Sequence, residues 1–268
     1  MTSGKDPVSL ANDSGYALQI AVENLVARTV DRHGWKVRYV EHAWTNKLDQ
    51  ETGYADLVLQ DRHNSTFFVV ECKRPRQATW LFMRSDGSAK ERRHAKAWIS
   101  HFDGNRFRRF GWDDLPVDPS FPEAQFCAVR GQSANDQPML ERTSGILVQA
   151  TEALAHEERD YRSEKLPTIR FYFSVIVTTA DLKVARFDPS RISLADGTLE
   201  HADVIDVPFV RFRKQVLTRA NALTPEDYGS GSDPAYARES TVFIVRADAF
   251  VRFLTEFEIP DSSLRPLV

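Results

Sequence analysis

Two periodicities divide the chain. Gly15 to Val30 carries apolar residues at helical spacing and predicts a first helix, with Asp13 or Ser14 as its cap and Gly34 as the break after its end. β-branched and aromatic runs then predict strands over 35–41, 54–60 and 66–73, the last stopped by Pro75. Lys90 to Trp98 reads as an amphipathic helix and Phe126 to Val129 as a strand. Leu140 to Arg159 has a long helical pattern whose stripe is Ile146, Leu147, Ala150, Ala153 and Leu154, weakened at Gly145. Arg170 to Thr178 is apolar almost throughout, which predicts a central strand, followed by a turn at Thr179-Ala180-Asp181 and a hairpin partner at Lys183 to Phe187. Val204 to Val210 is a short strand with Pro208 at an edge or bulge. Thr224-Pro225-Glu226-Asp227 resembles a helix start, and Gly229 to Pro234 has the composition of a flexible loop. Thr241 to Val245 is a last strand, and Ala247 to Phe257 a short closing helix. Helices and strands in this order give an α/β chain.

Composition narrows the function classes. With 268 residues and 42% hydrophobic positions, the chain supports one large domain or two small ones around a substantial core. The net charge of −3 supplies no overall basic field, so a nucleic-acid partner would have to be read from local patches. Two cysteines, Cys72 and Cys127, exclude a disulfide framework and a zinc cluster, and both fit as buried thiols. There is no apolar run of membrane-spanning length and no secretory leader at Met1-Thr2-Ser3-Gly4-Lys5, so a cytoplasmic location is expected. Without a glycine-rich phosphate loop, a nucleotide-driven motor is not expected.

The chemistry concentrates in Gly53-Tyr54-Ala55-Asp56-Leu57-Val58-Leu59 and Val69-Val70-Glu71-Cys72-Lys73, with Glu71 fifteen residues after Asp56. Two adjacent strands joined by the polar turn at 60–65 would bring Asp56 level with Glu71. Alternation places Val69, Glu71 and Lys73 on one face and Phe68, Val70 and Cys72 on the other. Two carboxylates suit a hard divalent cation, with the Cys72 carbonyl as a further oxygen. Lys73 would orient or help deprotonate a water, or stabilise charge growing on a phosphate. As solvated strand ends these residues would do none of this. A carboxylate following four apolar residues, however, tends to be partly buried and then needs a partner.

Glu23 lies on the first helix with apolar Ile20, Val26 and Ala27 at helical spacing, so a metal, its water shell or an arginine would be its partner. Glu41, at the end of the 35–41 strand, is a second candidate acid, while Asp49 and Glu51 fall in the loop before Asp56. Residues 74–112 mix bases with aromatics. Arg74, Arg76, Lys90 and Arg93 are candidate nucleic-acid contacts, Arg74 and Arg76 for their nearness to Lys73. Arg106, Arg108 and Arg109 interleave with Phe107 and Phe110, which could stack on unpaired bases or belong to the core. Arg211, Arg213, Lys214 and Arg219 form a second basic cluster facing either substrate or solvent.

Asp56 and Glu71-Cys72-Lys73 resemble the core motif of the restriction-endonuclease-like nucleases, the PD-(D/E)XK superfamily, although Ala55 stands where the family name has proline. Glu23 matches the glutamate that many members carry on the helix before the first strand. The resemblance covers residues 15–75, extending towards 180 by element order. It implies a mixed central sheet flanked by helices, a nuclease core over 1–190, and a C-terminal extension over 191–268 that brings extra strands. It also implies Mg2+-dependent phosphodiester hydrolysis, with Mn2+ substituting, on DNA rather than RNA. A homodimer and a role in restriction or phage defence are further expectations. The alternatives are a nuclease-fold effector switched by a partner or small ligand, and a catalytically silent nucleic-acid-binding protein.

Overall fold

The computed structural model describes residues 6–47, 50–75, 78–86, 93–103, 106–129, 138–160, 168–215 and 238–264. Helices α1 (Pro7–Asp13), α2 (Tyr16–Arg28) and α3 (Val30–His33) open the chain. Gly15, at φ 85°, is the α2 N-cap, so neither Asp13 nor Ser14 holds that position, although Ser14 Oγ accepts from the Tyr16 N–H at 3.3 Å. Gly34 ends α3 at φ 76°, a backbone region that favours glycine. Strands β1 (Lys36–Thr45), β2 (Thr52–Gln60) and β3 (Thr66–Lys73) follow. Next come β4 (Thr79–Ser85), β5 (His94–Asp103), β6 (Arg106–Pro116), β7 (Glu123–Ala124) and β8 (Phe126–Val129). The long helix α4 (Met139–Asp160) precedes β9 (Ile169–Thr178), β10 (Asp181–Phe187), β11 (Asp203–Asp206), β12 (Phe209–Gln215), β13 (Glu239–Arg246) and helix α5 (Phe250–Glu256).

The architecture is α/β with mixed sheets and few helices. The larger sheet has the order β1-β2-β3-β9-β13-β12-β7, and β5 also pairs with β9 and with β6. β9 is central: it runs parallel to β3 along its length and parallel to β13 from Ser174 to Thr178, while β5 meets its start in antiparallel fashion. Strands from beyond residue 190 thus lie next to the middle of this sheet. On one face α4 packs Leu147, Ala150 and Leu154 against Val69, Tyr172, Ile176 and Ile244. On the other, Leu18, Val22 and Val26 of α2 and Phe253 of α5 pack against Leu57, Phe68, Val70 and Phe173. Each fully buried large apolar side chain contributes about 1.5–3 kcal/mol, so both layers hold the sheet firmly.

Five expectations are corrected. Residues 94–98 are strand, not helix, because Ala95, Ala97 and Ile99 alternate into one core layer while Trp98 packs into the other; Lys90 lies outside the described residues. β10 is not a hairpin partner of β9: it joins a second sheet of order β11-β10-β4-β8, where it runs parallel to β4 and buries Leu182 and Val184 beside Trp80 and Phe82. The predicted strand over 204–210 is broken at Val207-Pro208 and its halves join different sheets; the Pro208 carbonyl accepts from the Arg246 N–H. Arg211 and Arg213 do not face solvent. Both are buried, and Arg213 is clamped by Asp114 at 2.6 and 2.9 Å and Glu239 at 2.7 Å. Ile146, expected in the α4 stripe, is 48% exposed. Arg219, Thr224–Asp227 and Gly229–Pro234 lie outside the described residues.

Candidate active site

The site forms where β2 and β3 part. Their antiparallel ladder ends at Leu57 opposite Val70, yet β3 continues beside β9 until Lys73 stands opposite Thr178. Beyond that fork the Cys72 N–H has no β2 backbone to bond and donates instead to Asp56 Oδ2 at 2.6 Å. A carboxylate accepting a backbone N–H forms a strong, charge-assisted bond. The Asp56 carbonyl accepts from Gln19 Nε2 on α2 at 3.2 Å. The β3 end then projects Glu71 and Lys73, which form an ion pair, with the Glu71 side chain 18% exposed and Lys73 36%.

Asp56, Glu71, Cys72, Lys73 and Arg74 line one wall of a cleft of about 270 Å³, and Asn12 to Tyr16 with Gln19 line the other. Partial burial is the largest influence on the Asp56 carboxyl and the Glu71 charge the next. Together they raise its pKa to about 6, against the opposing Cys72 N–H and Lys73. Glu41 adds a smaller push in the same direction. It sits on β1 between Val40, opposite Leu57, and His42, opposite Ala55, and has φ 50°, a strained conformation for a glutamate. Burial, then the charges of Asp56 and Glu71, pushes the Cys72 thiol far up, so sulfur contributes no thiolate here.

Asp56, Glu71 and Lys73 therefore converge. Glu23 is half-buried on α2 and is not among the residues lining the cleft. Its expected apolar neighbours Ile20 and Ala27 are exposed, because the buried stripe of α2 is Leu18, Gln19, Val22 and Val26. Arg74 lines the cleft and donates to the Asn12 carbonyl. Arg93 pairs with Asp118 at 2.7 Å and does not line it; Arg76, Lys90 and Asp49 lie outside the described residues. Gln19 is the residue that sequence reasoning missed. The available signal was a glutamine inside an otherwise apolar helical stripe.

Among the described residues no three His, Cys, Asp or Glu side chains are gathered closely enough to enclose an ion. The donor set still suits Mg2+, which keeps several waters and commonly takes one or two carboxylates. Two carboxylates sharing a partly buried cleft repel each other, and a divalent cation between them relieves that repulsion. A larger cavity of about 590 Å³ lies at the opposite end of β3, beside Thr66; there Arg32 and Arg62 mingle with Asp31, Asp61, Glu258 and Asp261, giving no single charge preference. Among the described residues no helix is long and apolar enough to cross a membrane. Comparison of the chain with protein-family models, curated proteins and solved structures found no match.

Proposed function

We propose that this chain is a divalent-cation-dependent nuclease of the restriction-endonuclease-like kind, hydrolysing phosphodiester bonds in nucleic acid, DNA in preference to RNA. The convergence of Asp56, Glu71 and Lys73 on one cleft carries the reading. Asp56 and Glu71, with the Cys72 carbonyl, would hold Mg2+ or Mn2+. When bound, the ion lowers the pKa of its water and polarises the phosphoryl oxygen. Lys73 carries a charge beside Glu71, where it orients the water or stabilises charge developing on the phosphate. Arg74, on the cleft wall, is placed to meet a phosphate once it leaves the Asn12 carbonyl. Two strands of a duplex need two such sites, so a homodimer is the assembly this reading expects. A cytoplasmic restriction or phage-defence setting belongs to the same reading and rests on the motif resemblance.

The test is an assay on supercoiled DNA, linear DNA and RNA with and without Mg2+ or Mn2+. Ion-dependent cleavage that Lys73→Ala abolishes supports the assignment. Equal cleavage by both proteins overturns it.

A further inference from the structure

We infer that Gln19 is a positioning residue for the candidate cation site. The inference rests on the nuclease reading above and adds to it the helix that aims the Asp56 carboxylate. Gln19 is 6% exposed, the one polar side chain in the buried stripe of α2, where an amide without a partner would be costly. Its Nε2 donates to the Asp56 carbonyl at 3.2 Å, and its side chain lines the same cleft as Asp56. Asp56 is gripped at two points, its carbonyl by Gln19 and its Oδ2 by the Cys72 N–H at 2.6 Å. The ladder with β3 stops one residue later, at Leu57, so on that side these two bonds hold the peptide, while on the other β1 pairs with Ala55 and Leu57. The two grips restrain the rotation of the Asp56 peptide and side chain on the cleft wall. Leu18, Val22 and Val26 seat the helix by packing alone. Gln19 converts that seating into an orientation of one carboxylate.

The test uses the full chain and Mn2+ alone as the probe. Calorimetric titration should show Gln19→Leu binding Mn2+ about tenfold more weakly than the wild type, measured where circular dichroism shows both folded. Hydrogen exchange of the Cys72 amide in the metal-free protein should quicken about tenfold, since Asp56 is no longer held against it. Gln19→Asn, whose amide falls one methylene short, should lose Mn2+ affinity in the same way and replaces Gln19→Leu if that variant does not fold. Val22→Ala, on the same stripe, should lower the melting temperature and leave Mn2+ affinity unchanged. Wild-type affinity in Gln19→Leu or Gln19→Asn overturns the inference while the nuclease reading stands. A wild-type protein that binds no Mn2+ overturns the nuclease reading and the inference with it.

Discussion

The Cys72 N–H donates to Asp56 Oδ2 at 2.6 Å, so the side chain of one strand takes the place of backbone just where β2 leaves β3. This bond ties the two halves of the site together. Asp56 cannot move without breaking its bond to the strand end that carries Glu71 and Lys73, an end that β9 also holds.

Asp56 and Lys73 should therefore separate in their roles. Asp56→Asn is expected to lower Mn2+ affinity and cleavage together. Lys73→Ala should keep Mn2+ affinity within a few-fold and lose about 10²–10⁴-fold in cleavage rate, the range for a charged group acting in the transition state. Calorimetry and cleavage kinetics on the same preparations read both quantities. Equal loss of Mn2+ binding in the two variants would contradict the division.

The pH dependence has a definite sign. Asp56 has a folded pKa of about 6, above its ordinary value of 3.8, so the metal-free fold holds that proton more tightly than the unfolded chain. Its contribution to stability is full below pH 3.8 and is lost as pH rises through about 6. Asp56→Asn should accordingly stabilise the metal-free protein at pH 7, on the order of 1–2 kcal/mol once partial exposure is allowed for. Denaturant melts at pH 5 and 7 measure this. Mn2+ affinity should fall about tenfold per unit below about pH 6, because the ion needs the ionised carboxylate.

Glu41 and Glu23 should behave differently. Glu41 presses on the Asp56 carboxyl from the neighbouring strand, so Glu41→Gln should move the pH midpoint of Mn2+ binding downward by a few tenths. Glu23, off the cleft, should leave that midpoint unmoved when changed to Gln. Titrations of the two variants from pH 5 to 8 decide between them.

Arg213→Met should damage stability and not nucleic-acid affinity. The guanidinium is 2% exposed and neutralises Asp114 and Glu239, and removing one partner of a buried ion pair costs about 3–5 kcal/mol. Urea unfolding checks the loss. Unchanged stability with weakened DNA binding would place Arg213 at a surface after all.

Much of this was legible in the chain and some was not, for identifiable reasons. β3 and β9 declared themselves because strands buried on both faces are apolar runs, and Asp56, Glu71 and Lys73 followed from where such runs stop. The partner of β10 was not legible, since sequence adjacency to β9 favoured a hairpin while Leu182 and Val184 are buried in a second sheet beside β4. Arg211 and Arg213 looked like surface because nothing local announces Asp114, some hundred residues earlier, as a buried counter-charge. Glu23 attracted attention through Ile20, Val26 and Ala27, of which Val26 is buried and the other two are exposed. The true stripe runs one position away, through Leu18, Gln19, Val22 and Val26, and a one-residue rotation of a helix is below what periodicity resolves over three turns.

The most direct measurement is Mg2+-dependent cleavage of supercoiled DNA by the wild type beside Lys73→Ala, with Mn2+ titrations of both proteins. The wild type should cut only when the ion is present, and the Lys73→Ala protein should bind Mn2+ and not cut. Cleavage by Lys73→Ala at the wild-type rate, or cleavage indifferent to the ion, would contradict it.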